Sequence, residues 1–317
     1  MQKTDSNNKL NDFNEEIDLI EIFNVLYDGK WIILTMTTFV SLIGVIYSLM
    51  LPNIYESKAL LVSVNTSSAI SGTLQRYSGL AGIAGIDLPN SEDISNSAKA
   101  KSKIQSLSFF KSNILPNIQL QDLMAVKSWS PITKEIIYDK NIYDKKSNTW
   151  VRDYSYPKQQ IPSAQESFKI FISKHLSISE DKNSGFITLS IKHQSPFIAK
   201  LWTDLVIDEV NAFYRKKDKT DSEKAVSYLK QQILKTSLSE IKLVIAELLQ
   251  DETKKLMLIE ANEFYVFDYI DPPDLMENKS EPKRSLICII SALLGGMLSI
   301  FVVLTKNYFF NKKSAKF

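Results

Sequence analysis

The sequence has few of the side chains that carry redox and metal chemistry. Its 317 residues include one cysteine, Cys288, and two histidines, His175 and His193. A single cysteine cannot form a disulfide within the chain, and two histidines without a cysteine partner make a poor zinc site. We therefore expect no metal and no cofactor, and we interpret both histidines as surface or packing residues.

A charge excess of one sign is also lacking. Lys and Arg total 38 and Asp and Glu total 36, so the formal net charge is only +2. That balance argues against nucleic acid as a partner, because nucleic-acid-binding domains carry strongly basic surfaces. Acidic residues are plentiful, but no motif selects a pair for general acid–base work. The sequence thus predicts no catalytic residues and a protein that is not an enzyme.

Nucleotide-binding loops are absent as well. Gly79–Ile86 reads GLAGIAGI, with glycines spaced by three. Neither G-x-G-x-x-G nor G-x-x-x-x-G-K-[ST] occurs, so a phosphate cradle is not indicated. We interpret this Ser/Gly-rich stretch as a mobile or self-associating loop.

Two long uncharged apolar runs, Trp31–Leu51 and Ser285–Thr305, lie near the two ends. Each matches the ~20 residues that a helix needs to cross a bilayer. The leader before the first run is acidic and the run is longer than the apolar part of a signal peptide, so we expect a retained span. Two spans place both tails on one side of the membrane and the middle of the chain on the other.

Basic residues at the membrane boundaries favour cytoplasmic tails. Lys30 precedes the first run and Lys306, Lys312, Lys313 and Lys316 follow the second, although Lys283 and Arg284 lie on the outer side. The predicted organisation is a cytoplasmic segment (1–30), transmembrane helix 1 (31–51), a periplasmic α/β domain (52–284), transmembrane helix 2 (285–305) and a cytoplasmic tail (306–317). Within the leader, residues 14–29 predict an amphipathic helix or the first turns of a longer transmembrane helix.

Runs rich in β-forming residues, with clean alternation of apolar residues at Phe186–Lys192, predict four strands in the middle segment, at Tyr55–Val64, Leu176–Glu180, Phe186–Lys192 and Phe264–Ile270. Helical spacing predicts helices at 98–113 and 163–175, and Ser195-Pro196 opens a helix that we expect to reach about Arg215. Residues 129–162 are rich in Tyr, Lys, Asp and Pro and predict an excursion with little regular structure. The aromatic residues there serve either as a cover for the core or as a stacking surface for sugars: Trp129, Trp150, Tyr154 and Tyr156.

A long helix is predicted over about 219–264, which contains neither proline nor glycine. Its apolar residues recur at steps of three and four, as in a helix that packs along one seam. We expect it to extend away from the compact domain and to pack on another helix of the chain or on another subunit. Its charged face is either solvated or lines a surface that contacts a polymer.

Prolines bracket a connector at 271–284, before the second run. Pro272, Pro273 and Pro282 predict an extended, stiff segment, because proline fixes φ and lacks an N–H. Inside the second run, Gly295-Gly296 is followed by Ser299. The small-xxx-small pair Gly295–Ser299 predicts a close approach of two helices in lipid.

The sequence resembles the Wzz-type polysaccharide chain-length determinants, also called polysaccharide co-polymerases. The resemblance runs through IDLIEIFNVLYDGKW (Ile17–Trp31), YESKALL (Tyr55–Leu61), Gly185–Arg215, the long helix, the proline segment and the second run. The family pattern reads P-x-x-P-x-x-x-x-S-P-K followed by a G-x-x-x-G. Here Pro273, Pro282, Lys283 and Gly295 fit, whereas three positions depart from the pattern: Met276, Glu281 and Ser299.

The resemblance implies a fold and a function. The implied fold is an α/β membrane protein in which two transmembrane helices flank a periplasmic domain with a long extended helix, assembled as a homo-oligomer. The implied function is non-enzymatic control of the chain length of a surface polysaccharide such as lipopolysaccharide O-antigen, in the bacterial inner membrane. The implied partners are an O-antigen-type polymerase, a lipid-linked glycan and membrane lipids. The implied structural residues are Pro272, Pro273, Pro282, Lys283, Gly295, Gly296 and Ser299.

Two other functions remain to be weighed. Relatives with a fused tyrosine kinase need a P-loop and a tyrosine-rich tail. Here the tail after Thr305 has one tyrosine, Tyr308, so we do not expect a fused kinase. A co-polymerase or adaptor for capsule or exopolysaccharide export shares the two-span plan, so export is the alternative function.

Overall fold

The computed structural model describes residues 19–64 and 96–314. The chain divides into two units, one made of Asn53–Ser280 and one made of the chain on either side of it. The predicted loop at Gly79–Ile86 lies outside the described residues.

In the described part of the unit at the chain ends there are three helices: α1 (Leu19–Asp28), α2 (Lys30–Met50) and α8 (Arg284–Ser314). Lys30–Met50 and, within α8, Arg284–Asn307 are long and apolar enough, by length and composition, to cross a membrane. Gly29 separates α1 from α2, so the amphipathic leader is a helix of its own rather than the first turns of α2. The two predicted spans are therefore both helical.

The unit Asn53–Ser280 has a mixed helix and strand composition, as the sequence predicts. Its main sheet is antiparallel with strand order β6-β7-β1-β8, namely β1 (Tyr55–Ser63), β6 (Leu176–Glu180), β7 (Ile187–His193) and β8 (Phe267–Asp271). In the register, Ala59 pairs with Leu189 and Leu61 pairs with Ile187.

The alternation of β1 explains why it forms a half-buried strand. Ser57, Ala59 and Leu61 are buried while Lys58 between them is exposed, so one face of the sheet meets the core. The longer helices in the described part of this unit are α3 (Asn96–Ile104), α4 (Leu120–Met124), α5 (Ala164–Ile170), α6 (Pro196–Lys235) and α7 (Ser239–Ala261).

The first half of α6 covers the buried face of the sheet. Its buried residues recur at helical spacing: Ala199, Trp202, Thr203, Val206, Ile207 and Val210. Short helical turns between Leu107 and Asn117 complete the core with Phe109, Phe110 and Ile114. Phe171, in the turn after α5, contacts Phe110 with ring centroids 5.2 Å apart.

The long helix differs from its prediction. The helix that opens at Pro196 continues to Lys235, and a second helix runs over Ser239–Ala261, so the break lies at 236–238 rather than near Arg215. Thr236 and Leu238 have extended backbone conformations, although no proline or glycine marks the reversal. The apolar seam that predicted one helix instead packs α6 against α7 as an antiparallel pair.

The pair is joined by polar contacts near its inner end. Arg215 Nη2 donates hydrogen bonds to the carbonyls of Asn262, at 2.6 Å, and Glu263. Lys219 pairs with Glu260 across the two helices. The helix of 40 residues reaches about 60 Å at 1.5 Å per residue.

Residues 126–150 contain more strand than predicted. Two small hairpins pair β2 (Val126–Ser130) with β3 (Glu135–Tyr138) and β4 (Tyr143–Asp144) with β5 (Thr149–Trp150). Aromatic pairs hold them, since the Tyr143 ring lies 5.4 Å from that of Tyr138 and 5.2 Å from that of Trp150. These contacts cannot be predicted from the composition of residues 126–150, which is typical of a loop.

Candidate transmembrane helix interface and connector

Helices α2 and α8 pack along small residues. Gly295 is buried, and a Cβ built on it would lie 2.9 Å from the Cβ of Val40 and 3.3 Å from the backbone of Thr37. Gly44 faces Ser291 in the same way, with no room for a side chain between them. Thr37 lies beside Ser299, whereas Gly44, further along α2, faces Ser291, which is earlier in α8, so the two helices are antiparallel.

A hydroxyl pair lies in the same interface. Ser299 is fully buried, its Oγ donates to the Gly296 carbonyl at 2.7 Å, and it lies 3.4 Å from the Oγ1 of Thr37. Hydrogen bonds of this kind stabilise helix pairs in hydrocarbon, where water is absent. The small-xxx-small pair Gly295–Ser299 therefore faces α2 of the same chain.

Gly296 lies on a different face of α8. No atom lies within 4 Å of a Cβ built on it, so it does not contribute to the packing against α2. The adjacent glycines are distinguishable only in three dimensions, because one residue turns a helix by about 100°.

The α2 side of the interface was missed in the sequence. Gly44 and Ser48 are the buried residues of α2, and they have the same spacing of four as Gly295 and Ser299. Gly29, at the start of α2, meets Val303, with 2.5 Å between its would-be Cβ and Val303 Cγ1. A search for small-xxx-small pairs in both runs would have found Gly44 and Ser48.

The connector between β8 and α8 is extended, with no helix between Pro272 and Lys283. Pro273 is buried and Pro272 is exposed. The hydroxyl of Ser57 on β1 donates to the Asp274 carbonyl at 2.9 Å. Ser280 N donates to the Ile54 carbonyl at 2.8 Å, which ties the connector to the chain just before β1. The roles of Pro282 and Lys283 stay predictions.

Glu56 on β1 accepts hydrogen bonds from both β7 and the connector. Its Oε1 accepts from Ser190 Oγ at 2.9 Å and its Oε2 accepts from Ser280 Oγ at 3.0 Å. Burial raises the pKa of Glu56, but these two hydrogen bonds and the charges of Lys58 and Lys192 outweigh burial, so the pKa is lowered. An ionised Glu56 thus holds β7 and the connector to β1.

The two histidines pack together in the core beside the sheet. Their rings stack with centroids 5.6 Å apart, and the edge of Trp202 meets both. His193 is 2% exposed. Its Nδ1 accepts from Ser195 N at 2.9 Å and its Nε2 donates to the Asp122 carbonyl at 3.0 Å, so the neutral ring fits these partners. They are packing residues, as predicted.

Within residues 19–64 and 96–314, no group of three or more His, Cys, Asp or Glu residues has an arrangement that could hold a metal ion. A cavity of about 230 Å³ opens beside the histidines and is lined by apolar residues such as Ile54 and Met124 as well as by Lys174.

The geometry defines a class of protein: an α/β domain attached at both of its ends to an antiparallel pair of transmembrane-length helices. The family model described as "Wzz: Chain length determinant protein" matches residues 15–125. The chain is therefore similar to the chain length determinants, as its motifs indicate, over α1, α2, β1 and the first helices of the domain. Among curated proteins, none matches this sequence significantly.

Solved structures of polysaccharide co-polymerases resemble the chain weakly. A full-length bacterial polysaccharide co-polymerase is 16% identical, with 93% of this chain and 99% of that chain covered and a TM-score of 0.40. A fragment of WzzB, a polysaccharide co-polymerase from Salmonella Typhimurium, is 12% identical over 72% of this chain and 100% of that chain, with a TM-score of 0.26. A mutant of the Shigella flexneri O-antigen chain-length regulator WzzB is 10% identical over 72% and 100%, with a TM-score of 0.19.

Proposed function

We propose that the protein is a non-enzymatic regulator of the chain length of a surface polysaccharide, with lipopolysaccharide O-antigen as the first candidate. It acts beside a membrane polymerase that extends a lipid-linked glycan. The observation that carries the proposal is the match of the chain length determinant model to residues 15–125. The protein lies in the bacterial inner membrane with both termini in the cytoplasm and residues 52–284 in the periplasm.

The paired helices α2 and α8 support a role at the membrane. Their small residues pack against each other, which leaves large apolar side chains on the outer surface of the pair. Leu42 and Phe39 on α2 and Leu293 and Met297 on α8 are each more than half exposed. In a bilayer, such a surface faces lipid, other subunits or a polymerase.

The α6–α7 pair supports homo-oligomer formation. Apolar residues along its outer part are strongly exposed, among them Tyr228 (61%), Leu238 (58%) and Leu243 (72%). Exposed apolar surface of this extent is typical of contact sites. We expect a ring of subunits in which these helices meet their neighbours and present their charged faces outward or to the growing glycan.

A gel of surface polysaccharide tests the function. Cells with the gene, cells without it, and deleted cells that carry it on a plasmid are compared. A clustered length distribution that becomes a steadily decaying ladder on deletion, and is restored by the plasmid, supports chain-length control. An unchanged distribution overturns the proposal for that glycan. Loss of surface glycan altogether favours the alternative, an export co-polymerase.

A further inference from the structure

The tip of the β2–β3 hairpin carries an exposed apolar side chain. Ile132 is 93% exposed, the highest value after Tyr156 among the large apolar residues that the structure describes in Asn53–Ser280. The turn is well defined, since Thr133 N donates to Ser130 Oγ at 3.3 Å. Lys134 has φ +54, a left-handed conformation that non-glycine residues rarely adopt.

Aromatic residues flank the tip and link it to the start of β1. Trp129 contacts the Tyr55 ring at 5.5 Å and the Phe197 ring at 6.3 Å. Lys134 Nζ lies 5.8 Å from the Phe197 ring centroid. Phe197 itself is 42% exposed. We call Tyr55, Trp129, Ile132, Lys134 and Phe197 the hairpin patch.

Both chain connections to the membrane-length helices leave the domain beside this patch. Tyr55 follows Met50, the last residue of α2, by five positions, which is at most about 17 Å of extended chain. The connector to α8 is hydrogen bonded to Ile54, the residue before Tyr55. The patch therefore lies at the end of the domain from which the chain enters the bilayer.

The composition of the patch matches the interfacial layer of a bilayer. Trp and Tyr concentrate at the headgroup level, and lysine extends its charge towards water and lipid phosphates while its stem lies on apolar surface. An isolated isoleucine at a turn tip gains free energy when it enters the boundary between headgroups and acyl chains.

We propose that the β2–β3 hairpin is an interfacial membrane anchor, with Ile132 inserted at the level of the headgroups of the bilayer that α2 and α8 cross. The proposal rests on the proposed membrane topology. The occupant of the patch is the lipid surface, and the anchor is a third point of contact besides the two helices.

Site-directed spin labelling of the full chain in lipid nanodiscs tests the anchor. The lone cysteine is replaced first, as Cys288→Ala, and single cysteines are then introduced for labelling. Ile132→Cys reports the hairpin, Leu234→Cys is the matched control at the far end of α6, and Leu42→Cys reports the first transmembrane-length helix. Leu234 is also strongly exposed, at 86%. Accessibility to oxygen, which concentrates in lipid, is compared with accessibility to a water-soluble nickel chelate.

We expect the oxygen-to-nickel ratio to be severalfold higher at 132 than at 234, and to lie between the values at 234 and 42. Equal ratios at 132 and 234, with a high ratio at 42, overturn the anchor and leave the topology intact. Low accessibility to both reagents at 132 means a protein contact and also overturns it. A water-accessible label at 42 removes the proposed topology and the anchor with it.

Discussion

The neutral, buried His193 predicts that acid destabilises the domain between the two transmembrane-length helices. Burial lowers the pKa of His193 to about 4 from 6.5, and the neighbouring His175 adds to the effect. The geometry agrees, because an Nδ1 that accepts the Ser195 N–H has no place for a proton. Ser195 is the residue at which α6 begins, so protonation would disturb the start of the helix that covers the sheet.

The direction and size of the effect follow from proton linkage. Between pH 6.5 and 4 the unfolded state binds more protons at this residue than the folded state does, so stability falls as pH falls through that window. Above about pH 6.5 the stabilisation is complete. The full shift corresponds to about 3 kcal/mol at 1.36 kcal/mol per pKa unit. Burial also lowers the pKa of His175, which adds in the same direction.

Two measurements on the full chain in detergent micelles check the prediction. Histidine C2–H exchange, followed by mass spectrometry, gives the pKa of each of the two histidines separately. Urea unfolding followed by tryptophan fluorescence at pH 7.5 and pH 5 gives the loss of stability. His193→Asn, which keeps an acceptor for Ser195 N, should flatten most of the pH dependence, whereas His175→Gln should flatten less. A His193 pKa near 6.5, or unfolding midpoints that do not change with pH, would refute the reasoning.

Three further predictions concern packing and hydrogen bonds. Gly295→Leu should cost about 1–3 kcal/mol and lower the thermal stability of the full chain in micelles, whereas Gly296→Leu, on an open face, should have little effect; equal losses would contradict the assigned interface. Asn211→Leu should cost about 3 kcal/mol in urea unfolding, because Asn211 Oδ1 accepts two backbone N–H groups at the start of β8; a loss below 1 kcal/mol would show that water replaces it. Ser280→Ala should cost about 1 kcal/mol at neutral pH and less below about pH 4.5, since Glu56, with its lowered pKa, is stabilised most when it is ionised; a cost that is constant with pH would exclude this link.

The strands were predictable because their sheet is half buried. Buried Ser57, Ala59 and Leu61 alternate with outward residues in β1, and that alternation is visible in the sequence. The reversal at 236–238 was not, because no proline or glycine marks it. Thr236 and Ser237 favour local hydrogen bonds over helix only weakly. The position of the helix break is therefore set by the packing of α7 back on α6.

The candidate interface, too, was predictable from the sequence only in part. The spacing of Gly295 and Ser299 indicates a close helix contact, but the pattern on one helix does not say which helix is the partner. Gly296 has the same residue type as Gly295 and faces elsewhere. The hydrogen bonds of Glu56 with Ser190 and Ser280 join residues up to 224 positions apart, so no local sequence pattern predicts them.

The 40-residue α6 has a mechanical consequence. Its first half is part of the core and its second half is part of the outer arm, with no break between them. The outer half of α6 therefore has no hinge where it leaves the core, and it rotates as one rigid body with the half that packs on the sheet. A rotation of the core by 5° would move the far end of the helix by about 5 Å at a radius of about 60 Å. Small rotations of the core would thus become large displacements where α6 meets α7.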